Sequence, residues 1–150
     1  ASVRQVMNST APTSSVLSVG TSIASNGSTN TYVAYCFTDV AGYSKFGSYT
    51  GNGSADGTFV YLGFRPRYLL VKRIDVVNDW LITDSARLGY NGGNNLLWAN
   101  LSSAEYVLEH VDLLSNGFKI RTTNAGWNAS GGSYIYMAFA ENPFSKSLAR

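Results

Sequence analysis

The chain has 150 residues, of which 45% are hydrophobic and 13% charged, with a formal net charge of +2. That length suits one domain of ordinary size with a real core, and that composition excludes a disordered chain. The charge is too small, and the 11 lysines and arginines too scattered, for a phosphate-binding stripe, so no nucleic-acid partner is expected.

Residues 1 to 30 are rich in Ser, Thr, Asn and Gly, interrupted by Pro12 and by the short apolar pieces Val16, Leu17 and Val19. Such a stretch predicts an extended arm that orders only when docked, with those three residues as candidate subunit contacts. Tyr32 to Phe37 then reads as the first strand, with Cys36, the only cysteine, as a small core residue. A single cysteine allows no internal disulfide and favours a reducing compartment. Gly47 to Thr50 and Thr58 to Leu62 flank Asn52-Gly53 and Asp56-Gly57, a pattern that predicts a hairpin.

Tyr68 to Ile74 forms an apolar strand, with Arg65, Arg67, Lys72 and Arg73 read as a solvated strand edge. Asp79 to Ile82 is the next strand, followed by the Gly/Asn loop 85–95 and a short apolar run from Leu96 to Leu101. Ser102 to Glu105 resembles a capping box, leaving one helical turn or a loop as the two readings. Val111 to Leu114 and Phe118 to Arg121, joined at Asn116-Gly117, make a second hairpin. Trp127 to Gly132 is a loop, and Tyr134 to Ala140 is the last strand before Asn142-Pro143. Eight to ten short strands at regular spacing, with no long helical period, predict an all-β fold. The expected architecture is an antiparallel β-sandwich or jelly-roll-like module with an extended N-terminal arm.

One segment occurs twice. VLSVGTSIASNGSTNTYVAYCFTD, residues 16–39, aligns without a gap on FKIRTTNAGWNASGGSYIYMAFAE, residues 118–141. Thr21, Asn26, Ser28, Tyr32 and Phe37 match Thr123, Asn128, Ser130, Tyr134 and Phe139, and Cys36 falls on Ala138. Self-similarity of this kind marks repeat-built proteins.

Catalytic constellations are absent from the pattern. His110 is the sole histidine and no serine elbow accompanies it. Glu105 with Glu109, or Asp79 with Asp84, could be read as a glycosidase pair, but carboxylates at such spacings are ordinary surface groups. The loop Asn52 to Gly57 lacks the further carboxylates of a calcium cage. No phosphate-cradling glycine motif occurs. No catalytic residue, cofactor or metal is therefore expected, and no apolar run is long enough for membrane insertion. What the residues offer instead is recognition. Trp80, Trp98, Trp127, Tyr90 and Tyr106 lie in or beside Asn/Gly/Ser contexts where flat rings can stack on sugar faces and amides can bond hydroxyls, which makes Trp127, Asn128, Tyr90 and Trp98 the candidate glycan-binding residues. Trp80 and Trp98 read first as core residues, and Trp127 is the better exposed candidate.

YVAYCF, AGYSKFGSYTGNGSADGTFVYLGFRPRYLLVKR, DWLITDSAR, SNGFKIRT and NASGGSYIYMAFAENPF together resemble a family of phage and prophage proteins. Its members are tandem β-rich modules of tail-fibre-like virion proteins, and the likeness runs from about Thr13 to the C-terminus. It implies that residues 1–40 are an arm ending in the closing strand of a truncated preceding repeat, and that 41–150 are one complete module. It further implies a non-enzymatic protein of the virion exterior, assembled in the bacterial host cytoplasm, as a capsid decoration (cement) protein or a short fibre component. The implied partners are copies of itself, most simply a homotrimer, and other virion proteins such as major capsid or tail proteins. The alternative is a receptor-binding fibre tip that adheres to host-surface glycan.

Overall fold

Nine short strands and two single turns of helix make up the secondary structure of residues 7–87 and 93–143, which the computed structural model describes. The chain divides into two compact units, residues 1–37 and 38–150.

The second unit is built from two antiparallel sheets. The larger contains β1 (Ser44–Thr50), β3 (Pro66–Arg73), β4 (Trp80–Asp84), β5 (Asn94–Trp98), β6 (Tyr106–Leu108) and β9 (Ser133–Ala140). Its strand order is β1-β9-β3-β4-β5-β6. The smaller contains β2 (Phe59–Tyr61), β7 (Val111–Leu114) and β8 (Gly117–Ile120), in the order β2-β8-β7. This is an all-β, antiparallel, sandwich-like fold, as its composition and strand spacing predict.

Alternation explains how each strand is seated. In β9, Tyr134, Tyr136, Ala138 and Ala140 are buried while Ser133 and Ile135 lie on the opposite face. Strand β9 is paired on both edges, to β1 with Tyr49 opposite Tyr134 and to β3 with Leu70 opposite Met137. The inward residues of both sheets meet in one core that includes Leu69, Val71, Leu81, Val111, Phe118 and Ile120. Phe118 of the small sheet stands edge-on to Tyr49 (5.9 Å, 76°) and Tyr136 (5.5 Å, 77°) of the large one, so aromatic contacts join the layers. Pro66 begins β3, where its missing N–H is tolerated, and the ladder to β9 shifts register between Pro66 and Tyr68.

Three local expectations are corrected and one open reading is decided. Gly47–Thr50 and Thr58–Leu62 do not form a hairpin, because β1 pairs with β9 and β2 pairs with β8. Residues 51–57 are instead a crossover from one sheet to the other, although Gly53 keeps the left-handed φ of +69° that its turn requires. Ser102–Glu105 forms no helical turn, and Glu105 bonds Arg87 and Asn95 across the loop instead of capping backwards. Strand β3 lies inside the sheet, not at an edge; its basic neighbours are tied down locally, Arg65 and Arg67 to Glu141 and Arg73 to Asp75. Finally, Tyr32–Phe37 is not a strand, and Cys36 is exposed where a core position was expected. A strand exists only with a partner ladder, and residues 30–39 contribute to none.

The first unit contains α1 (Ile23–Asn26), one turn of helix capped by Ser22, whose hydroxyl accepts from the Ala24 N–H at 3.2 Å. Val16, Leu17 and Val19 are all exposed in it.

Candidate ligand-binding cleft

The turn that frames the cleft, α2 (Ala125–Asn128), is the second copy of α1. Asn124 caps it by accepting from the Gly126 N–H at 2.8 Å, as Ser22 caps α1. The Tyr134 hydroxyl accepts from the Ala129 N–H (2.8 Å) and donates to the Ala125 carbonyl (2.7 Å). In the first copy the Tyr32 hydroxyl accepts from the Gly27 N–H (2.7 Å) and donates to the Ile23 carbonyl. Asn128 donates to the Thr122 carbonyl at 3.0 Å, and Asn26 to the Gly20 carbonyl at 2.9 Å. Two of the five residues identical between the copies, the asparagine and the tyrosine, have the side chains that close the turn.

Sequence reasoning read residues 127–132 as a loop and missed this capped turn. The signal was present in the matched asparagine and tyrosine, each of which can bond backbone locally.

Tertiary partners fix the second copy further. Arg73 grips Asp75 with two nitrogens (2.7 and 2.9 Å), which holds the Asp75 carboxyl at about 2, below its ordinary value. So held, Arg73 also donates to the Ala125 carbonyl at 3.3 Å and lies 6.0 Å over the Tyr134 ring. Tyr134 stacks on Tyr49 at 4.8 Å, and burial pushes the Tyr49 phenol far above its ordinary range.

Between α2 and the β4-β5-β6 end of the large sheet lies a cleft of about 370 Å³. Its floor includes Leu81, Leu96, His110 and Trp127, all buried. Trp98 and Tyr106 form one wall, their rings 6.3 Å apart and inclined at 37°. The polar rim is made by Asn78, Asp79 and Asn124.

The expected sugar-binding residues are thus divided by the structure. Trp98 and Trp127 come together in the cleft, but Trp127 is 1% exposed and so forms floor, not a protruding platform. Asn128 is 0% exposed and its amide is consumed by Asn52, Ser54 and Thr122, which corrects its reading as a ligand contact. Tyr90 lies outside the described residues. Tyr106, His110, Asn78, Asp79 and Asn124 were not foreseen as one group, since only the folding of β4 to β6 beside α2 unites them.

His110 stacks against Trp127, with ring centres 5.8 Å apart and planes at 19°. Its Nδ1 and the Trp127 Nε1 are buried without a hydrogen-bond partner among the described residues. Burial lowers the His110 imidazole below its ordinary value of 6.5, because a desolvated ring resists charging. Below that pH the unfolded chain takes up a proton that the folded chain refuses. Stability is therefore whole above about pH 6.5, falls as the pH drops towards the folded-state value, and levels off beneath it. Denaturation followed from about pH 8 to about pH 5 should show this slope, and His110→Phe should flatten it. Equal slopes in the two proteins would refute the assignment.

Among the described residues no group of three or more His, Cys, Asp and Glu side chains is placed to hold a metal ion. Compared with known proteins, residues 1–143 match the family model described as a domain of unknown function, DUF7483, and the chain belongs to that family. No curated protein and no solved structure gives a match.

Proposed function

We propose that this DUF7483 chain is a non-enzymatic structural module of a phage virion exterior, a capsid decoration protein or short fibre component, that assembles through residues 16–37. The observation that carries the proposal is the unequal fate of the two copies. Both fold the same capped turn, yet only the second is covered by partner strands. Val33 and Tyr35 are 78% and 83% exposed, whereas their counterparts Ile135 and Met137 sit in a strand paired on both sides. A preformed turn followed by an unladdered YVAYC run matches what β-augmentation needs in a donated strand. The receiving element in a second copy is a free edge of the large sheet, β1 or β6, because β9 already fills the place between β1 and β3. Closed assembly about a symmetry axis, as a homotrimer, would satisfy every copy. The virion setting rests on the likeness to tail-fibre modules that runs from about Thr13 to the C-terminus.

Cys36 supplies the test. It occupies the position of Ala138, which is 0% exposed in its strand, so donation should bury the only thiol. The isolated chain should react fully with a thiol reagent, and the assembled form, isolated by size or from particles, should be protected. A thiol that reacts equally fast in both would remove the proposal, as would a chain that stays monomeric and is missing from purified virions.

A further inference from the structure

We infer that the cleft between α2 and strands β4 to β6 binds a neutral saccharide. This inference concerns a different surface from the donated strand and does not depend on how the chain assembles.

The volume of about 370 Å³ falls within the range of small-molecule sites, about 300–1,000 Å³. One sugar ring with part of a second would fill such a space. Tyr106, 51% exposed, and the half-buried Trp98 present ring surface beside a polar rim. Apolar ring faces set against fixed amides and a carboxylate are what a pyranose needs, since its C–H face stacks while its hydroxyls radiate outward.

Charge and hydrogen-bond capacity decide among ligand classes. No lysine or arginine lines the cleft among the described residues, and Asp79 places a carboxylate at its rim, so an anionic ligand is disfavoured. A cation could use Asp79 and the rings. It would, however, leave the donors of the site unanswered. The side-chain NH₂ groups of Asn78 and Asn124 donate to no protein group among the described residues; their oxygens accept from the Asp79 and Gly126 N–H groups at 2.8 Å each. The Asp79 Oδ1 already accepts from Asn100 at 2.8 Å, which fixes the carboxylate in place. Hydroxyls alone among these ligand groups can both accept from the amides and donate to the carboxylate.

The floor itself is aromatic, with two buried ring nitrogens beneath its surface. Trp127 and His110 are both more than nine-tenths buried, and each has a ring nitrogen with no partner among the described residues. Both nitrogens are closed off from solvent, so they form the underside of the floor, and hydrogen bonds to a ligand fall to the rim groups of Asn78, Asp79 and Asn124.

The test uses the full chain and its tryptophan fluorescence, to which Trp98 and Trp127 contribute from the cleft and Trp80 from outside it. Maltotriose, cellotriose, chitotriose and their monosaccharides serve as neutral probes, with a sulfated oligosaccharide and tetramethylammonium as charged ones. At least one neutral probe is expected to change the emission and to release heat in calorimetry. Tyr106→Ala, made at a half-exposed position, should weaken that binding by about tenfold while leaving the melting temperature unchanged. Tyr106→Phe should retain it. Trp98→Ala should abolish it, and the Tyr106 variants keep the test valid if Trp98→Ala fails to fold. Binding by none of the neutral probes, unchanged affinity in Tyr106→Ala, or stronger binding of the sulfated or ammonium probe would each overturn the inference.

Discussion

Phe118→Ala is expected to destabilise the unit formed by residues 38–150 by about 3–5 kcal/mol and to lower its melting temperature by about 15 °C. Phe118 is 0% exposed and meets Tyr49 and Tyr136 edge-on from the opposite sheet, so its removal empties the middle of the sandwich. The surrounding strands cannot collapse into the space without breaking ladders. Val16, its counterpart in the first copy, is exposed, and Val16→Ala should change stability by no more than about 0.5 kcal/mol. Chemical denaturation of the two variants measures both. A loss below about 1 kcal/mol for Phe118→Ala would mean that the sheets do not share one core.

The second large effect lies at Asn128. Its amide oxygen accepts from the Asn52 N–H at 2.9 Å, and its nitrogen serves Asn52 Oδ1 (2.9 Å), the Ser54 carbonyl (2.7 Å) and the Thr122 carbonyl (3.0 Å). One buried side chain therefore ties the 51–57 crossover to α2. Asn128→Ala leaves several of these groups without partners, at a cost of about 3 kcal/mol in all. Asn26→Ala in the first copy removes the bond to Gly20 alone, at an exposed site, and should cost less than about 1 kcal/mol. Amide exchange should also quicken at Gly53, whose N–H bonds the Asn128 carbonyl at 2.9 Å, in Asn128→Ala only. Equal effects of the two substitutions would show that the turn is held by its local bonds alone.

Much of the strand content was legible because period-2 alternation and turn residues act over a few positions. The runs at Tyr68, Asp79, Val111, Phe118 and Tyr134 all became strands, and Asn116-Gly117 did close the β7-β8 hairpin. Pairing was less legible. The Asn52-Gly53 and Asp56-Gly57 signals are the usual marks of a hairpin, yet their role in a crossover depends on Asn128, which lies more than seventy residues away. The cleft was half legible: Trp98, Trp127 and Tyr106 were foreseen as recognition residues, while Asn78, Asp79 and Asn124 become their neighbours only through the order of strands in the large sheet.

The duplicated segment separates what each level of structure decides. By itself the sequence determines the capped turn, because Asn26 and Tyr32, or Asn128 and Tyr134, reach partners within ten residues, and both copies make the same bonds. Sequence does not decide whether the following run, YVAYCF or YIYMAF, is a strand. Strand hydrogen bonds and apolar burial come from other segments: Tyr134–Ala140 lies between β1 and β3, and Tyr32–Phe37 does not. The same local code therefore gives a buried central strand in one place and an exposed run, with the chain's only thiol on it, in the other.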